Sequence, residues 1–233
     1  MQILKKGGGW LNRKIWSYRV TAWFLLILGI GFCIHLYAAH DVKSGYLIMV
    51  IVISAVYYYY SRAPSYKKGR TGEELVTKEL KKKLDDDYYL INDLDLPDSK
   101  GNIDHVVVGP TGIFVIETKN FTGHIVCDGD IWCRRYTNGL IFKKTDDRRI
   151  KSISRQAKDN AMAVRKTILQ EYGSSPWVQP VVVFTNPACK IEPTNPSTKI
   201  CRITELDSYI KNQIPIRMPP QQIESIAHYL AKQ

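Results

Sequence analysis

One uncharged, mostly apolar run of twenty residues, residues 20–39, limits what this chain can fold into more than any other feature. A helix rises about 1.5 Å per residue, so this run spans a bilayer core of about 30 Å. A second apolar run, residues 45–60, is shorter but ends in four tyrosines, whose amphipathic rings suit the membrane interface. We therefore predict two transmembrane helices, about residues 20–39 and 45–60, within a membrane anchor formed by residues 1–63.

The main alternative for the first run is a secretory signal peptide. No small-residue cleavage site precedes a folded domain, and a second apolar run follows at once, so the sequence favours the anchor. Basic residues lie before the first run and after the second, whereas only Lys43 lies in the connection. By the positive-inside rule, this asymmetry predicts a multi-pass protein of the inner membrane with both termini and the remaining domain in the cytoplasm.

Charge and cysteine content restrict the partners. The formal net charge of +11 suits polyanions, either nucleic acid or the anionic surface of a lipid bilayer. The five cysteines form no CxxC pair, so we expect reduced thiols and no zinc site. The composition leaves open whether the chain is a homo-oligomer.

The remainder of the chain, residues 64–233, reads as one α/β domain, whose first helix begins after a short basic linker, residues 61–70. Thr71 is predicted to cap the first helix, because acidic residues follow it and basic residues end the segment. The predicted helices cover residues 72–84, about 147–172, 205–213 and 220–232. The predicted strands cover residues 88–94, 103–108, 113–119, 124–127, 131–135, 140–143, 177–185 and 200–203. This order is typical of a mixed central sheet flanked by helices.

The two strands on either side of residues 109–112 bring acidic side chains together. If those four residues form the turn, Val108 pairs with Ile113, and the same count places Asp104 opposite Glu117, with Cβ atoms about 5 Å apart. Lys119 shares the face of Glu117, since side chains alternate along a strand. Two adjacent carboxylates repel each other unless a cation intervenes, which predicts a metal site at Asp104 and Glu117. An ordinary solvated surface cluster is the alternative.

Three further features accompany these acids. Glu73 leaves its helix at the edge of the buried face and is a candidate for the same site, although it could simply stabilise the helix N-terminus. Gln156 lies beside the apolar stripe of the long helix and is either a site residue or a surface glutamine. A basic cluster at that helix start is predicted to bind nucleic acid, or else forms a solvated face; its members are Arg148, Arg149, Lys151, Arg155 and Lys158.

These residues occur in blocks that resemble the NERD (nuclease-related) domain, which is similar to the restriction-endonuclease-like PD-(D/E)xK superfamily. The blocks are GEELV at 72–76, NIDHVVVGPTGIFVIETKNFTGHI at 102–125 and SRQAKDNA at 154–161. The resemblance covers about residues 69–185 and implies a restriction-endonuclease-like mixed central sheet flanked by helices, with Mg²⁺ (or Mn²⁺) as cofactor. The catalytic positions that it implies are Glu73, Asp104, Glu117, Lys119 and Gln156. Ile103 stands before Asp104 where the superfamily usually has proline.

Our first functional hypothesis is therefore a membrane-anchored, Mg²⁺-dependent endonuclease-like phosphodiesterase that acts on nucleic acid, with DNA preferred over RNA. The second is a non-catalytic module that binds nucleic acid or a protein at the membrane through its basic surface. A channel or transporter subunit is a third, supported only by the hairpin and by His35 within the first run.

Overall fold

The computed structural model describes residues 1–39, 42–99, 101–138, 144–214 and 218–233. The chain forms two compact units, a helical unit, Gly9–Arg70, and a sheet unit made of Met1–Gly8 with Thr71–Gln233. The strands are β1 (Gln2–Lys5), β2 (Tyr89–Leu94), β3 (Ile103–Gly109), β4 (Gly112–Lys119), β5 (Gly123–Asp128), β6 (Ile131–Asn138), β7 (Lys144–Ile150), β8 (Val178–Phe184), β9 (Cys189–Thr194) and β10 (Lys199–Arg202). The helices are α1 (Gly9–Ala38), α2 (Val42–Lys83), α3 (Ile153–Tyr172), α4 (Leu206–Lys211) and α5 (Pro220–Ala231), with a 3₁₀ turn at Ile203–Glu205.

Helices α1 and α2 each contain a stretch that is long and apolar enough to cross a membrane. In the most apolar 18-residue stretch of α1, only 11% is buried within the protein, and in the corresponding stretch of α2 none is buried. A core helix of a soluble protein would bury its apolar side chains, whereas these side chains are largely exposed. The two predicted apolar runs therefore form helices with the length and surface expected of membrane spans.

The predicted linker over residues 61–70 and the predicted helix start at Thr71 are both wrong, because α2 continues without a break through Pro64. Proline removes a single backbone hydrogen bond, and packing on both sides of it can preserve the helix. Tyr18 of α1 contacts Tyr59 before Pro64 and Tyr66 after it, at ring-centroid distances of 5.8 and 5.3 Å. These contacts keep the turns on either side of the proline on one face.

A six-stranded mixed sheet, in the order β1-β2-β3-β4-β8-β10, forms the centre of the sheet unit. Alternate side chains of β3 and β4 point to opposite faces, and apolar residues cover both. Val106 and Val115 pack with α3 and α5, whereas Val107 and Phe114 pack with the sheet-unit part of α2 and with α4. The expected mixed sheet flanked by helices is therefore confirmed.

A second sheet of four strands, in the order β7-β6-β5-β9, packs through Ile125 and Trp132 against the start of α3 and against Phe184 of β8. The prediction that a helix begins near residue 147 is wrong, because β7 pairs with β6 as far as Ile150. Helix α3 begins only after Ser152, whose side chain accepts a hydrogen bond from the backbone N–H of Arg155. The strand expected at residues 140–143 lies outside the described residues.

The predicted anchor comprised all of residues 1–63, whereas Met1–Gly8 belong to the sheet unit. Strand β1 pairs in parallel with β2, and the Met1 amino group donates to the carbonyl of Leu84 over 3.0 Å. A four-residue edge strand without a turn signal cannot be recognised from local pattern, because its partner lies more than eighty residues away in the chain. Strand β9 was also missed, but for a local reason. It contains Pro193, and proline is unusual within a strand.

Candidate functional site

The hairpin of β3 and β4 has the register that the sequence predicts. Val108 pairs with Ile113, and the ladder continues to the pair His105 and Ile116. Asp104 is the next residue along β3. Its carboxylate accepts a hydrogen bond of 2.7 Å from the backbone N–H of Thr118, which fixes Asp104 beside the last residues of β4.

Glu117 and Lys119 complete a compact group with Asp104 at the carboxyl end of β4. The Glu117 side chain is only 2% exposed, and the ammonium of Lys119 donates to its Oε1. Both strands that flank this end of β4 are long and apolar, so the polar side chains lie at the margin of a rigid sheet rather than on a loop. The three residues predicted from spacing are therefore brought together.

The other oxygen of Glu117, Oε2, is buried and has no hydrogen-bond partner in the described part of the chain. A buried carboxylate oxygen without a partner is costly, whereas a bound cation would satisfy it. No group of three or more His, Cys, Asp or Glu side chains within the described residues has the spacing of a metal site. Mg²⁺ does not require such a group, because it commonly uses one or two carboxylates together with water and substrate phosphate. Asp104 and Glu117 fit that requirement.

Helix α2 brings Glu73 to this group by a close approach of its backbone to the end of the sheet. A Cβ atom on Gly72 would lie 3.0 Å from Cβ of Asn120 and 3.1 Å from Oγ1 of Thr185. Since that separation leaves no room for a methyl group without a shift, glycine permits the helix to pack here. Glu73 follows directly and is half-buried.

Electrostatics show that these carboxyls share one environment. Burial, followed by the negative charge of Asp104, raises the pKa of Glu73 to about 9. Burial, followed by the charge of Glu117, raises the pKa of Asp104 to about 8. Burial alone would lower the pKa of Lys119, but the carboxylates of Glu117 and Asp104 outweigh it, so the pKa lies above its usual range. One ammonium cannot neutralise this much negative charge, which leaves a need for protons or a cation.

Asp93 is a further acid of this environment that was not among the predicted site residues. Its charge raises the pKa of both Glu73 and Asp104. Its backbone has a φ of 53°, which is uncommon outside glycine, and Asn102 donates a hydrogen bond of 2.8 Å to its Oδ1. The only available signal was an acidic residue at the end of a predicted strand.

Gln156 is not joined to the acidic group. It lies half-buried in the first turns of α3, and among the described residues its amide makes no hydrogen bond with the acids or with Lys119. The resemblance alone supports its assignment.

The predicted basic cluster is not a single surface at a helix start, since Arg148 and Arg149 belong to β7 and point to opposite faces of its sheet. Lys151 and Arg155 are exposed near the start of α3. Lys158 is held by Asp130, with its Nζ 2.8 Å from Oδ2, and is committed to that ion pair. The basic residues would form one patch only if residues 147–152 were helical, whereas β7 extends to Ile150 and α3 begins at Ile153.

The nuclease-related domain matches residues 68–185, a range that contains the whole acidic group, Lys119 and Gln156. The chain belongs to the nuclease-related domain family. An uncharacterized protein of Bacillus anthracis is 24% identical over 192 residues, which cover 80% of this chain and 85% of that protein. No solved structure matches the chain.

The raised carboxyl pKa values predict how the metal-free protein responds to pH. In the unfolded chain these groups titrate near pH 4. Their folded pKa values are higher, so the stabilisation is fully present below about pH 4 and is lost as the pH rises from there to the folded values of about 8 and about 9. Between about pH 5 and about pH 9 we expect the melting temperature of the sheet unit in EDTA to fall, to level off above that range, and to fall less in Asp104→Asn. Identical pH profiles for the two proteins would contradict this.

Proposed function

We propose that this protein is a membrane-anchored, Mg²⁺-dependent nuclease that hydrolyses phosphodiester bonds of nucleic acid. The observation that carries the proposal is the buried Oε2 of Glu117, unpaired among the described residues, in a group where Asp104 and Glu73 already have raised pKa values. A group that only stabilised the fold would pair this oxygen. A group that binds a cation during function leaves it free.

Each residue of the group has a proposed role. Asp104 and Glu117 would hold the divalent ion, which when bound supplies Lewis acidity and lowers the pKa of a bound water. The Lys119 ammonium, already held by Glu117, stabilises the negative charge that develops on the scissile phosphate. Burial and the charge of Asp104 raise the pKa of Glu73 to about 9, so Glu73 holds a proton at neutral pH beside the residues that would hold the ion. Gln156 is retained as a candidate for substrate positioning.

Nucleic acid is the proposed substrate because the family is nuclease-related and because the net charge of +11 favours a polyanion. We expect DNA to be preferred over RNA, since the resemblance extends to restriction-endonuclease-like enzymes.

Cleavage is tested with the full chain in detergent micelles, on labelled single- and double-stranded DNA and RNA, with Mg²⁺ or Mn²⁺ against EDTA. We expect cleavage only with the divalent ion, and a loss of about 100-fold or more in Lys119→Ala, because removal of one preorganised charge-stabilising group commonly costs that much. The matched control is Lys81→Ala, which removes an exposed lysine of α2 and should leave the rate unchanged.

Equal background cleavage by the wild-type chain and by Lys119→Ala would refute the enzyme. If nucleic acid then still bound in a salt-sensitive manner, and binding survived Asp104→Asn, the chain would be a non-catalytic binding module instead.

We also propose that α1 and α2 anchor the chain in the inner membrane, with the sheet unit in the cytoplasm. The exposed apolar windows of both helices and the basic flanks support this orientation. After extraction with alkaline carbonate the chain should remain in the membrane pellet. In spheroplasts the sheet unit should resist external protease and become sensitive only after lysis. Release by carbonate, or digestion in intact spheroplasts, would refute the anchor or its orientation.

A further inference from the structure

We propose that Arg134 and Arg148 form a clamp for the phosphodiester backbone of the nucleic acid that enters the site. The proposal rests on the proposed function in one respect, since the ligand is taken to be the nucleic-acid substrate. We call these two residues the arginine pair. Arg148 belonged to the predicted basic cluster, whereas Arg134 was not a candidate from the sequence.

The arginine pair lies on β6 and β7, next to the point where these two strands extend past their sheet as a two-stranded ribbon. Strands β6 and β7 pair from Trp132 with Ile150 to Asn138 with Lys144. Strand β5 covers β6 only as far as Arg135. The uncovered part therefore projects beyond the start of β5, and β5 begins only four residues after Lys119. The projecting ribbon thus leaves the sheet at the end that is connected to the site.

Arg134 and Arg148 are directly paired across the ribbon. They lie on the face of Trp132 and Ile150, where side chains in opposed positions have Cβ atoms about 5 Å apart. Like charges in such a position are destabilising unless an anion lies between them. Arg134 has no carboxylate partner among the described residues. Its guanidinium instead donates to the carbonyl of Thr122.

A continuous set of contacts links this position to the site. Lys119 is the register partner of Phe184. Phe184 packs against Phe121 with ring centroids 6.3 Å apart, and the Arg134 guanidinium lies 5.3 Å from the Phe121 ring centroid. These contacts place Arg134 near the end of the sheet that carries Lys119, so we take a strand whose scissile phosphate lies at Lys119 to run past Arg134.

Both guanidinium groups are oriented by aromatic rings. Arg134 lies over Phe121, and Arg148 lies over Tyr136 at 5.1 Å from the ring centroid. Stacking uses the flat face of a guanidinium and leaves N–H groups at its edge for bidentate contact with phosphate oxygens. Arg148 also pairs with Asp146 over 3.2 Å, but its side chain is 70% exposed. An exposed ion pair of this kind is weak and can be replaced by a phosphate.

The opposite face of the ribbon is arranged differently. There Arg135 forms ion pairs with Asp147 and with Glu192, over 2.8 and 3.0 Å. Lys190 is likewise paired with Glu192, over 2.7 Å. Acidic partners thus offset much of the positive charge on that face. On the face of the arginine pair, Arg134 has no carboxylate partner among the described residues. The difference assigns phosphate binding to one face of the ribbon.

The test measures binding of the full chain in detergent micelles to a fluorescently labelled oligonucleotide, by anisotropy, in EDTA so that no cleavage occurs. The double variant Arg134→Ala/Arg148→Ala is compared with Arg135→Ala/Lys190→Ala, which removes the same charge from the opposite face. We expect the first to weaken binding about 10-fold or more, and to reduce the slope of log K against log salt by about 1.4 to 1.8, as two lost phosphate contacts require. The second should change that slope by less than about 0.5.

Equal losses in the two double variants would overturn the proposal, because general charge would then explain binding. The proposal would also be overturned if Arg134→Ala/Arg148→Ala bound the oligonucleotide as tightly as the wild-type chain does. Arg148→Ala alone replaces a largely exposed side chain, so the fold should be retained, and it should reduce the slope by about half as much. If binding follows this pattern but no condition gives cleavage, the nuclease proposal fails and the clamp stands. If Lys119-dependent cleavage occurs while the first double variant binds normally, the clamp fails and the nuclease proposal stands.

Discussion

The carboxylate of Glu117, buried at the end of β4 and bonded by one oxygen to Lys119, is the interaction on which the account of this protein depends. A buried charge of this kind is stable only where a rigid framework holds its partners. Strand β4 is paired on both sides, and the sheet is covered by helices on both faces. Gly72 lets α2 approach closely enough to add Glu73. The scaffold thus concentrates negative charge that only protons or a cation can offset.

Much of this site was predictable because its geometry is local. Side chains alternate along a strand, and a four-residue turn sets the register of a hairpin, so Asp104, Glu117 and Lys119 could be placed together without knowledge of the rest of the fold. The mixed sheet with flanking helices followed from the order of apolar segments in the same way. The two apolar runs were likewise recognisable by length alone.

Most of the errors have one physical origin, which is contact between residues that are distant in the chain. The basic run at residues 61–70, with its one proline, indicated a linker, yet contacts of Tyr18 on both sides of Pro64 keep α2 continuous. Residues 147–150 were assigned to a helix, but pairing with β6 makes them a strand. Strand β1 depends on a partner at Tyr89, and Arg134 becomes significant only when Arg148 is placed opposite it.

The central claim, that Asp104 and Glu117 bind a divalent cation, is tested most directly by Mn²⁺ binding to the full chain, followed by electron paramagnetic resonance of the free ion. The account predicts one bound Mn²⁺ per chain, displaced by excess Mg²⁺, with affinity reduced by about 10-fold or more in Glu117→Gln. Lys81→Ala should bind as the wild type does. Stoichiometric binding that is unchanged in Glu117→Gln, or no binding by the wild-type chain, would contradict it.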